Sequence, residues 1–90
     1  MATHTFKLEI TGAFFAKVNI VQTDPDNHWE VLHPNVDHEV NFQNSGSYLA
    51  FINIYSPPNT DFKFCQDGEV IFVSKTDPQG VYSQYIWVHV

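Results

Sequence analysis

Apolar and polar residues alternate with a period of two along most of this chain, and turn-forming residues interrupt the alternation at short intervals. Successive side chains of a strand point to opposite faces, so this pattern marks strands with one face turned inward. No segment of helical length keeps a period of 3.6. Eight strands are expected, over about 4–11, 13–22, 28–33, 36–43, 47–55, 60–66, 69–75 and 81–90. That number of short strands in 90 residues predicts one all-β domain over 1–90. The expected form is a two-sheet antiparallel β-sandwich of immunoglobulin-like or jelly-roll type, with a small β-barrel as the alternative.

The breaks between strands have their own chemistry. Asp67-Gly68 separates FKFCQ from EVIFV and supplies two residues that tolerate positive φ, as a two-residue hairpin requires. TDPDN at 23–27 and TDPQG at 76–80 place Pro where a φ near −65° starts a turn, after an Asp that can hydrogen-bond the following backbone. FKLEITG at 6–12 is echoed by FKFCQDG at 62–68, and each leads into an apolar strand and then TDP. Duplication would produce this echo; so would convergence of two Greek-key halves.

Composition narrows the function classes. Four Lys and Arg against ten Asp and Glu give a net charge of −6, which opposes nucleic acid and anionic lipid as partners. Protonating all five His would take the formal charge to −1. No apolar run approaches the 18 or so residues needed to cross a bilayer, so membrane insertion is not expected. The N-terminal MATHTFKLEITG lacks a signal-peptide pattern, so a cytoplasmic protein is expected, with secretion after leader removal as the alternative. A single cysteine, Cys65, excludes an internal disulfide.

Metal and catalytic chemistry find little support. His28, His33 and His38 recur at odd spacing, which in strands puts neighbours on opposite faces. His38 is expected at the core edge, bonded to backbone. Asp24, Asp26, Asn27 and Glu30 cluster near one turn, but without the spacing of a calcium loop they read as a solvated Asx-type turn. Cys65 alternates with Lys63 and so is expected to be exposed, yet it has no neighbouring His to act as its base. No enzyme, cofactor or metal is expected.

The informative residues are the apolar ones left over. In 36–43, Val36, His38, Val40 and Phe42 oppose Asp37, Glu39 and Asn41, the pattern of a strand with one wet face. In 13–22, Phe14, Ala16, Val18 and Ile20 form an expected core face. Strand 47–55 is apolar on both sides, with Leu49, Phe51 and Tyr55 opposing Tyr48, Ala50, Ile52 and Ile54. The last strand repeats this, with Tyr85, Trp87 and His89 opposing Tyr82, Ile86, Val88 and Val90. Each large aromatic carries roughly 150–250 Å² of buriable surface, so Tyr85 and Trp87 beside Phe51 or Tyr48 would make a patch of functional size. If 47–55 and 81–90 are neighbours, that surface is made for a partner; otherwise it is simply buried.

Aromatic rings among Asn, Asp, Gln and His suit sugars, whose apolar faces stack on Trp or Tyr and whose hydroxyls need polar partners. The expectation is a non-catalytic, lectin-like carbohydrate-binding module that forms a homo-oligomer through an aromatic sheet face. Trp87, Tyr85 and His89 would form the face, and Trp29, Asp26 and Asn27 a polar rim. The alternatives are a protein-interaction or inhibitor domain docking on a protein ligand, and a structural protein assembling edge to edge.

Overall fold

The computed structural model describes residues 2–22 and 28–90, with side chains described for 3–21 and 32–90. Eight strands follow in order: β1 (Ala2–Ile10), β2 (Phe15–Gln22), β3 (His28–Leu32), β4 (His38–Phe42), β5 (Ser47–Tyr55), β6 (Asp61–Gln66), β7 (Glu69–Lys75) and β8 (Val81–His89). They form two four-stranded antiparallel sheets, sheet A in the order β4-β1-β6-β7 and sheet B in the order β3-β2-β5-β8. Each sheet keeps two open edges, so the architecture is a sandwich and not a closed barrel.

The inward-facing residues interlock into one core. Phe6, Leu8, Val40, Phe42, Phe62 and Phe64 of sheet A meet Val18, Ile20, Ala50, Ile52, Ile54 and Val88 of sheet B, all fully buried. Burying each of the larger side chains contributes about 1.5–3 kcal/mol. Rings bridge the two sheets at Phe42–Tyr48 and Phe62–Tyr82, each pair with centroids 4.8 Å apart. Tyr48 is thereby committed to the interior, and Phe51 alone of the two belongs to the outer patch.

Local chemistry sets the turns. Asp67 and Gly68 have φ of +53° and +82°, a pair of left-handed residues that closes the β6–β7 hairpin. Asp77 Oδ1 accepts from the backbone N–H groups of Gln79 and Val81, both at 2.9 Å, so the Asp-Pro turn forms as its sequence predicts. The corresponding TDPDN segment lies outside the described residues. Asn35, at φ +63°, extends the edge of β1: its Nδ2 donates to Ile10 O at 2.7 Å and its Oδ1 accepts from Ile10 N at 3.0 Å. His38 Nε2 accepts from the backbone N–H of His33 at 3.2 Å, as expected of a core-edge histidine.

Three expectations are corrected. Phe14 is 68% exposed, because β2 begins only at Phe15 and Phe14 lies in a bend before it, while Ala13 packs against the core. Val36 is exposed because β4 begins only at His38, after the Asn35 turn. Cys65 is buried: β6 is an inner strand between β1 and β7, and the longer side chains alongside cover a small one. Its Sγ donates to Glu9 Oε2 at 3.3 Å. The echo between 6–12 and 62–68 is not a structural repeat, since β2 follows β1 into the opposite sheet whereas β7 pairs with β6.

Candidate functional site

β5 and β8 pair along their whole lengths, from Ser47 opposite His89 to Tyr55 opposite Val81. This register sets Leu49 against Trp87 and Phe51 against Tyr85 on the outer face of sheet B. Trp87 is 61% and Tyr85 55% exposed. Phe51 and Tyr85 are in ring contact, with centroids 4.7 Å apart. β2 adds Phe15, paired with Tyr55, and Phe14 rests its ring on Tyr55 at 5.3 Å. The condition set by the sequence is met: the two doubly apolar strands are neighbours, and their spare sides form one aromatic surface.

Charge is distributed very unevenly between the two outer faces. Sheet A presents Lys7, Glu9, Glu39, Asp61, Lys63 and Lys75, with Glu9 paired in register to Lys63 and Asp61 to Lys75. Among the described residues Lys17 is the one permanent charge on sheet B's outer face, and its Nζ lies 5.3 Å from the centre of the Phe15 ring. Such a cation over an aromatic face is compatible with an apolar surface.

Where β8 nears its end, the aromatic face meets polar groups. An open cleft of about 480 Å³ runs between Trp87 and His89 on one side and Gln66, Asp67, Glu69 and Ile71 of the β6–β7 hairpin on the other. The hairpin is strapped in place: Gln66 Nε2 donates to His89 O at 2.7 Å, and Asp67 bonds both Thr5 N, at 2.9 Å, and His4 Nδ1, at 2.6 Å. The Thr5 amide, and after it His4, holds the Asp67 carboxyl below the usual aspartate range. His89 Nδ1 is bonded to Ser47 Oγ at 2.8 Å, which fixes the ring. A smaller groove on the other side of Trp87 is lined by Val21, Ser47, Tyr48 and Leu49.

The arrangement can stack a flat apolar ring on Trp87 while carboxylate, amide and imidazole groups reach its polar edges. Trp87, Tyr85 and His89 share the outer face of β8, and Trp87 and His89 line the cleft. Gln66, Asp67 and Glu69 line the cleft beside Trp87 and His89. Asp26 and Asn27 lie outside the described residues; Trp29 is placed only by its backbone, opposite Val21 across β2–β3. The Asp-Gly hairpin signal marks the position of Asp67 in the chain, but its approach to β8 crosses between sheets and has no local sequence signal.

Among the described residues no three His, Cys, Asp or Glu side chains gather as a metal site would require. Among the described residues no helix is long and apolar enough to cross a membrane. Among the described residues Cys65 has no histidine partner, and burial, then the bond to Glu9, raises its pKa, which leaves a protonated thiol. No protein-family model, curated protein or solved structure matches this chain.

Proposed function

We propose that this protein is a non-catalytic carbohydrate-binding module whose ligand stacks on Trp87 and is gripped at its edges by the groups around the cleft. One observation carries the reading: a mostly exposed indole stands beside a carboxylate- and amide-lined cleft whose walls are held by hydrogen bonds. A large ring is left in water only at some cost, and a pyranose face would remove that cost while its hydroxyls meet Gln66, Asp67, Glu69 and His89.

A glycan array spanning animal, plant, fungal and bacterial structures, followed by calorimetry on the best hit, tests this. Trp87→Ala should weaken that hit tenfold or more, about 1.4 kcal/mol, with an unchanged far-ultraviolet circular dichroism spectrum. A flat array overturns the carbohydrate reading, and undiminished binding by the variant overturns the seat.

A second reading is favoured by the remainder of the face. Phe14, Phe15, Tyr55 and Phe51 extend the aromatic surface well beyond what one sugar covers, with Lys17 as its one described permanent charge. That surface suits a protein, whether a foreign target or a second copy, because interface cores are depleted in charge and enriched in aromatics. Self-association through sheet B therefore belongs to the proposal alongside the ligand.

A further inference from the structure

The self-association just proposed can be taken to a definite geometry, because the backbone of β8 shows which of its groups lack partners. Gly46 and Val90 exchange two hydrogen bonds, N–H to O in both directions at 2.9 Å. In an antiparallel pair such bonded positions alternate with unbonded ones. With the β5–β8 register, Val88, Ile86, Gln84 and Tyr82 therefore bond to β5, and the odd-numbered residues of β8 aim their N–H and C=O groups at the open edge. The two ends confirm this: Val81 O accepts from Asp77 N at 3.0 Å, Val81 N donates to Asp77 Oδ1 at 2.9 Å, and His89 O accepts from Gln66 Nε2 at 2.7 Å. Between these capped ends, Ser83, Tyr85 and Trp87 present three N–H and three C=O groups with no protein partner among the described residues.

The other edges are defended and this one is not. β7 carries Glu69 and Lys75 and is interrupted by a register shift opposite Phe64/Cys65. β4 and β3 are five residues each, with Glu39 and Glu30 within them. β8 runs nine residues, VYSQYIWVH, with no Asp, Glu, Lys, Arg, Pro or bulge. Charge, brevity and bulges are the devices that keep strand edges from pairing, and β8 has none of them.

We propose that β8 pairs antiparallel with β8 of a second copy, about a two-fold axis at Tyr85, joining the two B sheets into one eight-stranded sheet. The register follows from which groups are free. Tyr85 faces Tyr85 of the second copy and Ser83 faces its Trp87, so that all six edge groups of Ser83, Tyr85 and Trp87 are used and Val81, with both groups bonded, falls opposite His89, whose O is bonded. A shift of two residues one way would bring Val81, already bonded by Asp77, against Trp87, and a shift the other way would set Ser83 N–H against His89 O, already bonded by Gln66. This complementarity of the edge with itself singles out a second copy over any other strand. The pairing also sets the two Trp87 residues on the same face, about 14 Å apart at 3.4 Å per residue and 4.8 Å between strands, with the two Tyr85 rings between them. The inference rests on the self-association part of the proposed reading and needs no carbohydrate.

Light scattering on the eluting peak at roughly 100 μM, where a pairing of micromolar Kd is saturated, should give twice the 10.3 kDa of one chain. Ser83→Pro removes an edge N–H that β5 does not use, so it should halve that mass while the far-ultraviolet spectrum is kept. Tyr85→Cys provides a check that does not depend on proline being tolerated. Bonded antiparallel partners have Cα atoms about 5.5 Å apart, within disulfide range, so mild oxidation should give a covalent dimer, whereas Trp87→Cys should not link to itself. A parent protein of single-chain mass overturns the proposal. A dimer that survives Ser83→Pro with its fold intact, and that Tyr85→Cys does not lock, overturns the edge geometry and leaves the face as the contact. Ser83 lies outside the cleft, so glycan binding by Ser83→Pro reports on the carbohydrate reading separately.

Discussion

A Cβ placed on Gly80 would stand 1.9 Å from the backbone oxygen of Ser56, at a φ of +81° that side chains rarely adopt. Ser56 N in turn donates to Gly80 O at 2.8 Å, and Ser56 Oγ to Thr76 Oγ1 at 3.0 Å in a buried polar pair, so neither backbone can retreat cheaply. Gly80→Ala should lower stability by about 2–4 kcal/mol, read as a shift in the urea midpoint. Gly12→Ala, at a similar φ of +76° but in open space, should cost only about 1–2 kcal/mol, and equal losses would show that close packing adds nothing. Cys65 gives a second residue-level expectation. Burial, then the Glu9 bond, raises its pKa, so an aromatic disulfide reagent at mildly alkaline pH should label it far more slowly in the native protein than in denaturant. Comparable rates would place the thiol at the surface, where simple alternation alone puts it. Alternation assigns a side of the sheet; it does not see whether longer neighbours cover that side.

At the scale of elements, β6 pairs directly with β1, and Asp67 ties the tip of the β6–β7 hairpin to the same strand. The carboxyl is about half exposed and held below its usual range by the Thr5 amide first and by His4 second. A depressed carboxyl stabilises the fold above its unfolded value and loses that contribution as pH falls through the folded one. Thermal stability should therefore drop on acidification below about pH 4, and Asp67→Asn should flatten that part of the profile. An identical profile in the variant would remove Asp67 from the linkage. The hairpin itself was legible, since Asp-Gly between two apolar runs admits few other structures. So was the doubled apolar character of β5 and β8, which follows from counting side chains on each face. Phe14 was not legible, because it lies in a bend just before β2 begins at Phe15, and nothing in its apolar side chain marks that break in the alternation.

For the whole molecule, the sandwich follows from strand number and length, but the candidate site does not. Trp87 and His89 come from the last strand, and Gln66, Asp67 and Glu69 from a hairpin in the other sheet. Their meeting depends on the order in which strands cross between sheets, and one sequence carries no direct signal for that order. The separation of charge between the two outer faces is likewise a property of the assembled sandwich, and it bears on how two molecules meet in solution. The molecule is 16 Å through its thinnest dimension, about twice the 8 Å screening length at physiological ionic strength. The outer face of sheet A balances three Lys against three carboxylates and that of sheet B carries Lys17, so among the described residues the excess negative charge sits at turns and strand ends, at Asp37, Asp67, Glu69 and Asp77. Repulsion between two copies of net charge −6 is consequently strongest where these ends meet and weaker where sheet faces approach. Diffusional encounters are thus sorted by orientation before any contact forms. The aromatic face of sheet B is thus among the surfaces that an oncoming neighbour meets with least opposition.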